Sequence, residues 1–174
     1  MVLAFAGPAL SQIQLGTDID GEAAGDLSGY SVSMSSDGTR VAMGAPNDNG
    51  NNSGQVRIYE YNGTAWTQLG TDIDGETASD QSGHSVSLSS DGTRVAIGAR
   101  FNDANGSNSG HVRGYDWNGS AWIKVGDDID GEAAIDLSGY SVSLSSDGTR
   151  VAIGAPTNGS SSGHVRVYSL PTTD

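Results

Sequence analysis

Three copies of one acidic stretch carry most of the charged chemistry of this chain. "DIDGEAAGD" sets Asp18, Asp20, Glu22 and Asp26 at relative positions 1, 3, 5 and 9. The spacing returns as Asp72, Asp74, Glu76 and Asp80, and again as Asp128, Asp130, Glu132 and Asp136. Alternating oxygen donors with a later carboxylate suit a hard cation such as calcium, which gathers about 6–8 oxygens. The glycine falls two positions earlier than in calcium loops of that kind. The same carboxylates could instead brace turns by accepting local backbone N–H groups. Arginines recur once per copy as available partners: Arg40, Arg94 and Arg150 in one series, Arg57, Arg113 and Arg166 in another. Repeated Asp–Arg pairs between blades are therefore a second reading of the same residues.

Other chemistries find less support. His84 stands where the other copies have Tyr30 and Tyr140, and His111 and His164 stand where the first has Gln55. No unique serine, acid or metal-ligand set converges on any of them, as a catalytic site requires. Paired carboxylates could serve a glycoside hydrolase. They recur identically in each unit, however, and active sites tend to break repeat symmetry, so a non-enzyme is expected. "NGT" at 62–64 and "NGS" at 118–120 and 158–160 match a glycan-acceptor pattern, but turn geometry explains the same Asn-Gly pairs.

The elements that position these residues follow from a repeat. Gly16, Gly70 and Gly126 lie 54 and then 56 residues apart, as do Gly44, Gly98 and Gly154. Length varies only in one polar loop, 46–54, 100–110 and 156–163. A fixed period with one variable loop marks a repeat architecture. Within a unit, period-two alternation predicts strands at 30–35, 40–45, 55–61 and 65–70. Asp37-Gly38, Asp91-Gly92 and Asp147-Gly148 predict turns between the first two strands, and Asn62-Gly63 and Asn118-Gly119 between the last two. Four antiparallel strands per ~40–50 residues imply propeller blades, with a β-solenoid as the alternative.

Composition narrows the partners. Eight Lys and Arg face 21 Asp and Glu, a net charge of -13. Phosphate backbones and anionic membrane surfaces would be repelled. With no cysteine there is no disulfide, thiolate or cysteine-zinc chemistry. No run reaches the ~18 apolar residues of a membrane-spanning helix. The opening "MVLAFAGPALSQ" reads as a signal remnant or an ordinary first strand. An extracellular or cell-surface setting is the expectation.

"SGYSVSMSSDGTRVAMGAP" followed by "SGQVRIYEYNGTAW" resembles the FG-GAP-type β-propeller repeats of integrin α-subunit heads and of bacterial and algal surface proteins. The matching pieces are Gly29 to Val32, Gly44-Ala45-Pro46, the Gly54 to Tyr59 strand and Trp66. They recur at Gly83, Gly98-Ala99 and Trp122, and at Gly139 and Gly154-Ala155-Pro156. The chain departs from the family at Ser28, Ser82 and Ser138, where phenylalanine is usual, and at Arg100, which replaces a proline. The resemblance implies calcium in an Asp-rich loop between the first two strands, but here that loop is only "SSDGT", too short to wrap a cation.

The expected organisation is an N-terminal extension, 1–9, then one repeat array, 10–174. In it 10–16 is a closing strand, 17–70, 71–126 and 127–174 are three blades, and the third lacks its own fourth strand. "LSQIQLG" at 10–16 aligns with "AWTQLG" without the tryptophan, so the missing strand lies at the other end of the chain. A closed ring takes about 4–8 blades. The reading is an all-β, six-bladed propeller closed as a strand-exchanged homodimer; the competing reading is a portion of a longer array. Function then points to a binding, adhesion or display module whose rim loops, with Asn47, Asp48, Asn102, Asp103 and Asn158, meet a glycan or a protein. A calcium-stabilised structural assembly is the alternative.

Overall fold

The computed structural model describes residues 11–172, apart from the side chain of Asn49; the 1–9 extension and the first residue of the closing strand lie outside the described residues. Three antiparallel sheets follow one another along the chain. In the first, β1 (Ser31–Met34), β2 (Arg40–Ala45), β3 (Gln55–Tyr61) and β4 (Trp66–Gln68) lie in sequence order, and the short β5 (Ile73–Asp74) extends the β4 side of β3. The second holds β6 (Ser82–Leu88), β7 (Arg94–Ala99), β8 (His111–Trp117) and β9 (Trp122–Asp130). The third has three strands, β10 (Ser141–Leu144), β11 (Arg150–Ala155) and β12 (His164–Ser169). These are the expected up-and-down blades, with strand positions set by the period-two alternation.

One expectation shifts. The acidic stretch was expected to lie ahead of the next blade, yet in its second and third copies the first residues are strand. Ile73 and Asp74 pair with Val56 and Gln55 in the first blade, and Asp130 pairs with His111 in the second. The 126/127 limit between units therefore falls inside β9. A two-residue bulge makes this possible. Cross-strand partners sum to 239 from Trp117↔Trp122 to Gly114↔Val125, then to 241 at Val112↔Ile129 and His111↔Asp130. The same offset separates Tyr61↔Trp66 from Gln55↔Asp74 in the first blade.

Cores form between sheets. Ala42, Val56, Ile58 and Ile73 of the first blade meet Val86, Leu88, Val95, Ile97 and Tyr115 of the second. Ala96 and Val112 of the second meet Val151, Ile153 and Leu170 beside the third. Each fully buried Val or Ile stabilises by roughly 1.5–3 kcal/mol.

The turns between the first two strands of each blade are held by one carboxylate. Asp37 Oδ1 accepts from Ser35 Oγ at 2.7 Å and from Thr39 N and Oγ1, both at 2.9 Å. Asp91 and Asp147 repeat the arrangement. The serine hydroxyl, then the threonine donors, hold Asp37 and Asp147 down to about 2 from 3.8. At Asp91 burial pushes upward, but the Ser89 and Thr93 donors outweigh it and the net direction is down. A depressed carboxylate pKa gives stability that is present above 3.8 and is lost as pH falls through about 2. Asparagine already does the same work in another turn, where Asn62 Oδ1 accepts from Thr64 N, Thr64 Oγ1 and Ala65 N. The triple variant Asp37→Asn, Asp91→Asn, Asp147→Asn should therefore fold. Its melting temperature should fall less steeply than that of the parent between about pH 5 and pH 2. Equal slopes would remove these turns as acid sensors.

Candidate functional site

The recurring carboxylates are placed by the strands that flank them. Arg57, on β3 and buried, points back at the acidic stretch of its own unit. Its NH1 lies 3.6 Å from Glu22 Oε1, and NH2 donates to the Asp20 carbonyl at 2.9 Å. Arg113 repeats this with Glu76 at 3.0 Å and the Asp74 carbonyl at 3.0 Å. Arg166 does so with Glu132 at 3.8 Å and the Asp130 carbonyl at 2.6 Å. The expectation was Asp–Arg pairs between blades; these pairs instead join arginine to the glutamate of its own unit, because the aspartates present their carbonyls to it. Asp26 and Asp136 are buried and accept from the backbone N–H of Ala23 and Ala133, three residues back. Asp18 and Asp72 accept from the glutamines four residues earlier, Gln14 and Gln68, at 2.7 and 2.6 Å. Asp128 takes Lys124 Nζ in the same way at 2.5 Å.

The rim-loop residues divide. Asn102 is buried and donates to Asp80 Oδ2 at 2.9 Å, and Asn158 donates to Asp136 Oδ2 at 3.0 Å. These amides tie the variable loop to the acidic stretch. Asp48 is also buried, and the backbone N–H of Asn47 donates to the Asp26 carbonyl. Asp103 is exposed and accepts from the Asn108 N–H at 2.7 Å.

A second set of contacts crosses from each blade to the next. Ser31 Oγ donates to the Gly83 carbonyl at 2.7 Å, and Ser85 Oγ to the Gly139 carbonyl at 2.8 Å. Ser33 and Ser87 hydroxyls accept from the Leu88 and Leu144 N–H groups, both at 2.9 Å. Arg40 reaches the Gly92 carbonyl and Arg94 the Gly148 carbonyl. Tyr30, His84 and Tyr140 stack at one end of the blades, with ring centroids 5.1 and 4.9 Å apart. Burial, then the Arg100 cation, pushes the His84 pKa down.

One cluster was missed in the sequence. His111, Glu76 and Asp128 converge in the second blade, and one ligand-capable atom from each lies within 4.8 Å of the other two. His111 is 1% exposed, and neither ring nitrogen has a hydrogen-bond partner among the described residues. Burial, then Arg113, pushes its pKa down to about 4. The signal for it was counting across the Asn118-Gly119 hairpin, which sets residue 111 opposite 128 before the bulge is considered.

Residues 71–112 match the FG-GAP repeat family model. That stretch of the middle unit is an FG-GAP repeat. The flanking units repeat the sequence pattern of the middle one. No curated protein matches the chain. Among solved structures, Kuenenia stuttgartiensis hydrazine synthase is similar at 16% identity and a TM-score of 0.48, over 82% of this chain and 32% of that one. The chain thus spans about a third of the length of that protein. The glycine next to the end of the second strand has a steric task in the first two units. A Cβ on Gly44 would sit 2.0 Å from the Gly83 carbonyl oxygen, and one on Gly98 2.1 Å from that of Gly139.

Proposed function

We propose that this chain is a non-enzymatic binding and display module that closes a six-bladed propeller with a second copy of itself, outside the cell or at its surface. The observation that carries the closure is the state of the two end blades. The counterparts of Ser31, Ser33 and Arg40 in the third unit face solvent: Ser141, Ser143 and Arg150 are exposed. Val165 and Val167 are 67% and 65% exposed, whereas Val56 and Ile58 at the same places in the first blade are buried. The first blade offers the complement. Val32 and Met34 are 65% and 55% exposed, whereas Val86 and Leu88 in the second blade are buried. The two faces match each other rather than themselves, and two copies of three blades fall within the ~4–8 that close a ring.

The N-terminal segment supports strand exchange. Trp66 Nε1 donates to the Leu15 carbonyl at 2.9 Å, as Trp122 Nε1 donates to that of Leu69 at 2.8 Å. Residues 11–16 therefore lie where the outer strand of a preceding blade lies. A groove of about 370 Å³ runs between β9 and residues 168–171, beside the open edge of β12. Strand addition to such an edge supplies backbone hydrogen bonds and hides an aggregation hazard.

The carboxylates pair with arginine or cap turns in each unit, which favours a scaffold over a glycoside hydrolase. The exposed parts of the rim loops, Asp103 among them, are left to meet a glycan or a protein. Among the described residues no helix is long and apolar enough to cross a membrane. Sedimentation, run with calcium and again with chelator, should give twice the 17.7 kDa of one chain in both. A single-chain mass in both would overturn the closure. Doubling only with calcium would move the assignment to an ion-linked assembly.

A further inference from the structure

The histidine of the second blade is poorly explained by structure alone. At the same place in the first blade, Gln55 is 2% exposed and its amide donates to Glu22 Oε2 at 3.1 Å. That is a satisfied, buried polar group, as interiors require. His111 is buried just as deeply, yet both of its ring nitrogens lack a partner. Asp130 Oδ1, 4.0 Å from Nδ1, is beyond hydrogen-bond reach. An unpaired buried polar group costs about 1–3 kcal/mol. Glutamine, available from the neighbouring unit, would avoid that cost.

The surroundings say what would repay it. Glu76 and Asp128 each bring a carboxylate oxygen within 4.8 Å of an imidazole nitrogen. Around them Glu76, Asp128 and Asp130 outnumber Arg113 and Lys124 by one charge. We infer that Glu76, His111 and Asp128 bind one divalent transition-metal ion of the zinc class. Imidazole with carboxylates selects such ions over calcium or magnesium, which take oxygen alone. A tetrahedral zinc ion holds its donors about 3.3–3.5 Å apart, with bonds of about 2.0–2.2 Å. The cluster therefore contracts on binding. The mobile parts are on its open side: the side chains of Glu76 and Lys124 are 45% and 37% exposed, so the glutamate can swing inward and the lysine can leave Asp128 to the ion. Arg113 stays, held by the Asp74 carbonyl. Glu76 lies on the link from the first blade and the other two on the second, so the ion ties the link to the blade it enters. The site lies within one chain and does not depend on ring closure.

The test is a Zn²⁺ titration by calorimetry in millimolar magnesium, which occupies nonspecific acidic sites. It is run in a His164→Gln background, because His164 lies 3.7 Å from Glu132 and forms a related half-site. One ion per chain is expected, with a raised melting temperature. His111→Gln reproduces the residue of the first blade and should fold; it should weaken binding at least tenfold. Co²⁺ should give visible absorption bands in the parent that are lost in His111→Gln. Equal affinity in the two proteins, or no saturable binding in the parent, would overturn the site. Should His111→Gln lose metal-free stability, Asp128→Asn replaces it in the same comparison, with the same tenfold loss expected.

Discussion

Replacing Gly98 with alanine should destabilise the chain by about 3 kcal/mol or more, whereas the same change at Gly154 should leave the fold intact and abolish its assembly. The difference lies in what stands opposite. A Cβ on Gly98 would meet the Gly139 carbonyl oxygen at 2.1 Å and Ser85 Oγ at 2.4 Å. The first is backbone of the next blade and cannot step aside, so the junction must open. Overpacking of this kind costs about 1–3 kcal/mol and more where the backbone is rigid. At 2–4 °C per kcal/mol for a chain of this size, the melting temperature should drop by roughly 6–12 °C. A Cβ on Gly154 meets only Ser141 within 3 Å, at Oγ, 2.4 Å away. Ser141 is exposed, and its hydroxyl can rotate. In a closed ring Gly154 faces Gly29 of a second copy, as Gly44 faces Gly83. Around Gly29 a Cβ finds nothing within 4 Å, which is the open side of that contact. Sedimentation of Gly154→Ala should therefore give the single-chain mass with an unchanged far-ultraviolet spectrum. A doubled mass in Gly154→Ala would show that this face takes no part in assembly.

These glycines show where the sequence was legible and where it was not. Their period was plain, and so was the alternation that makes Val32, Met34, Val86 and Leu88 one face of successive blades. The Asp-Gly and Asn-Gly turns fell where expected, because positive φ at Gly38, Gly92 and Gly148 is a local demand. The reason for Gly44 and Gly98 was hidden, since it lies in a carbonyl some 40 residues away on another sheet. The acidic stretch was legible as a recurring cluster, and Arg57, Arg113 and Arg166 were among the arginines named as available to it. Which acid they pair with depended on two-residue offsets: one between β4 and β5 precedes Glu76, and one within β9 moves Asp130 opposite His111. Period-two counting cannot see two inserted residues. The His111 cluster escaped for another reason, burial, which sequence position does not report.

Arginine at the start of the second strand gives the other large effect, and its size should depend on the blade. Arg94 is buried; Nε lies 2.5 Å from Asp116 Oδ1 and NH2 2.7 Å from Oδ2. NH1 crosses to the Gly148 carbonyl and NH2 to that of Pro171, each at 2.9 Å. The two-pronged pair ties β7 to β8 within the second blade, and the two carbonyl contacts reach the third. Arg94→Met should cost about 3 kcal/mol or more, because Asp116, 17% exposed, keeps its charge and loses the guanidinium. The same arginine in the first blade holds Glu60, which is 44% exposed and can turn to water. Arg40→Met should therefore cost about 1 kcal/mol or less. Adding Asp116→Leu to Arg94→Met should recover much of the loss, since removing both partners of a buried pair is close to neutral. Urea unfolding of the four proteins measures all three differences. Equal costs at Arg40 and Arg94, or no recovery in the double variant, would mean that the arginine acts through its carbonyl contacts rather than through the buried pair.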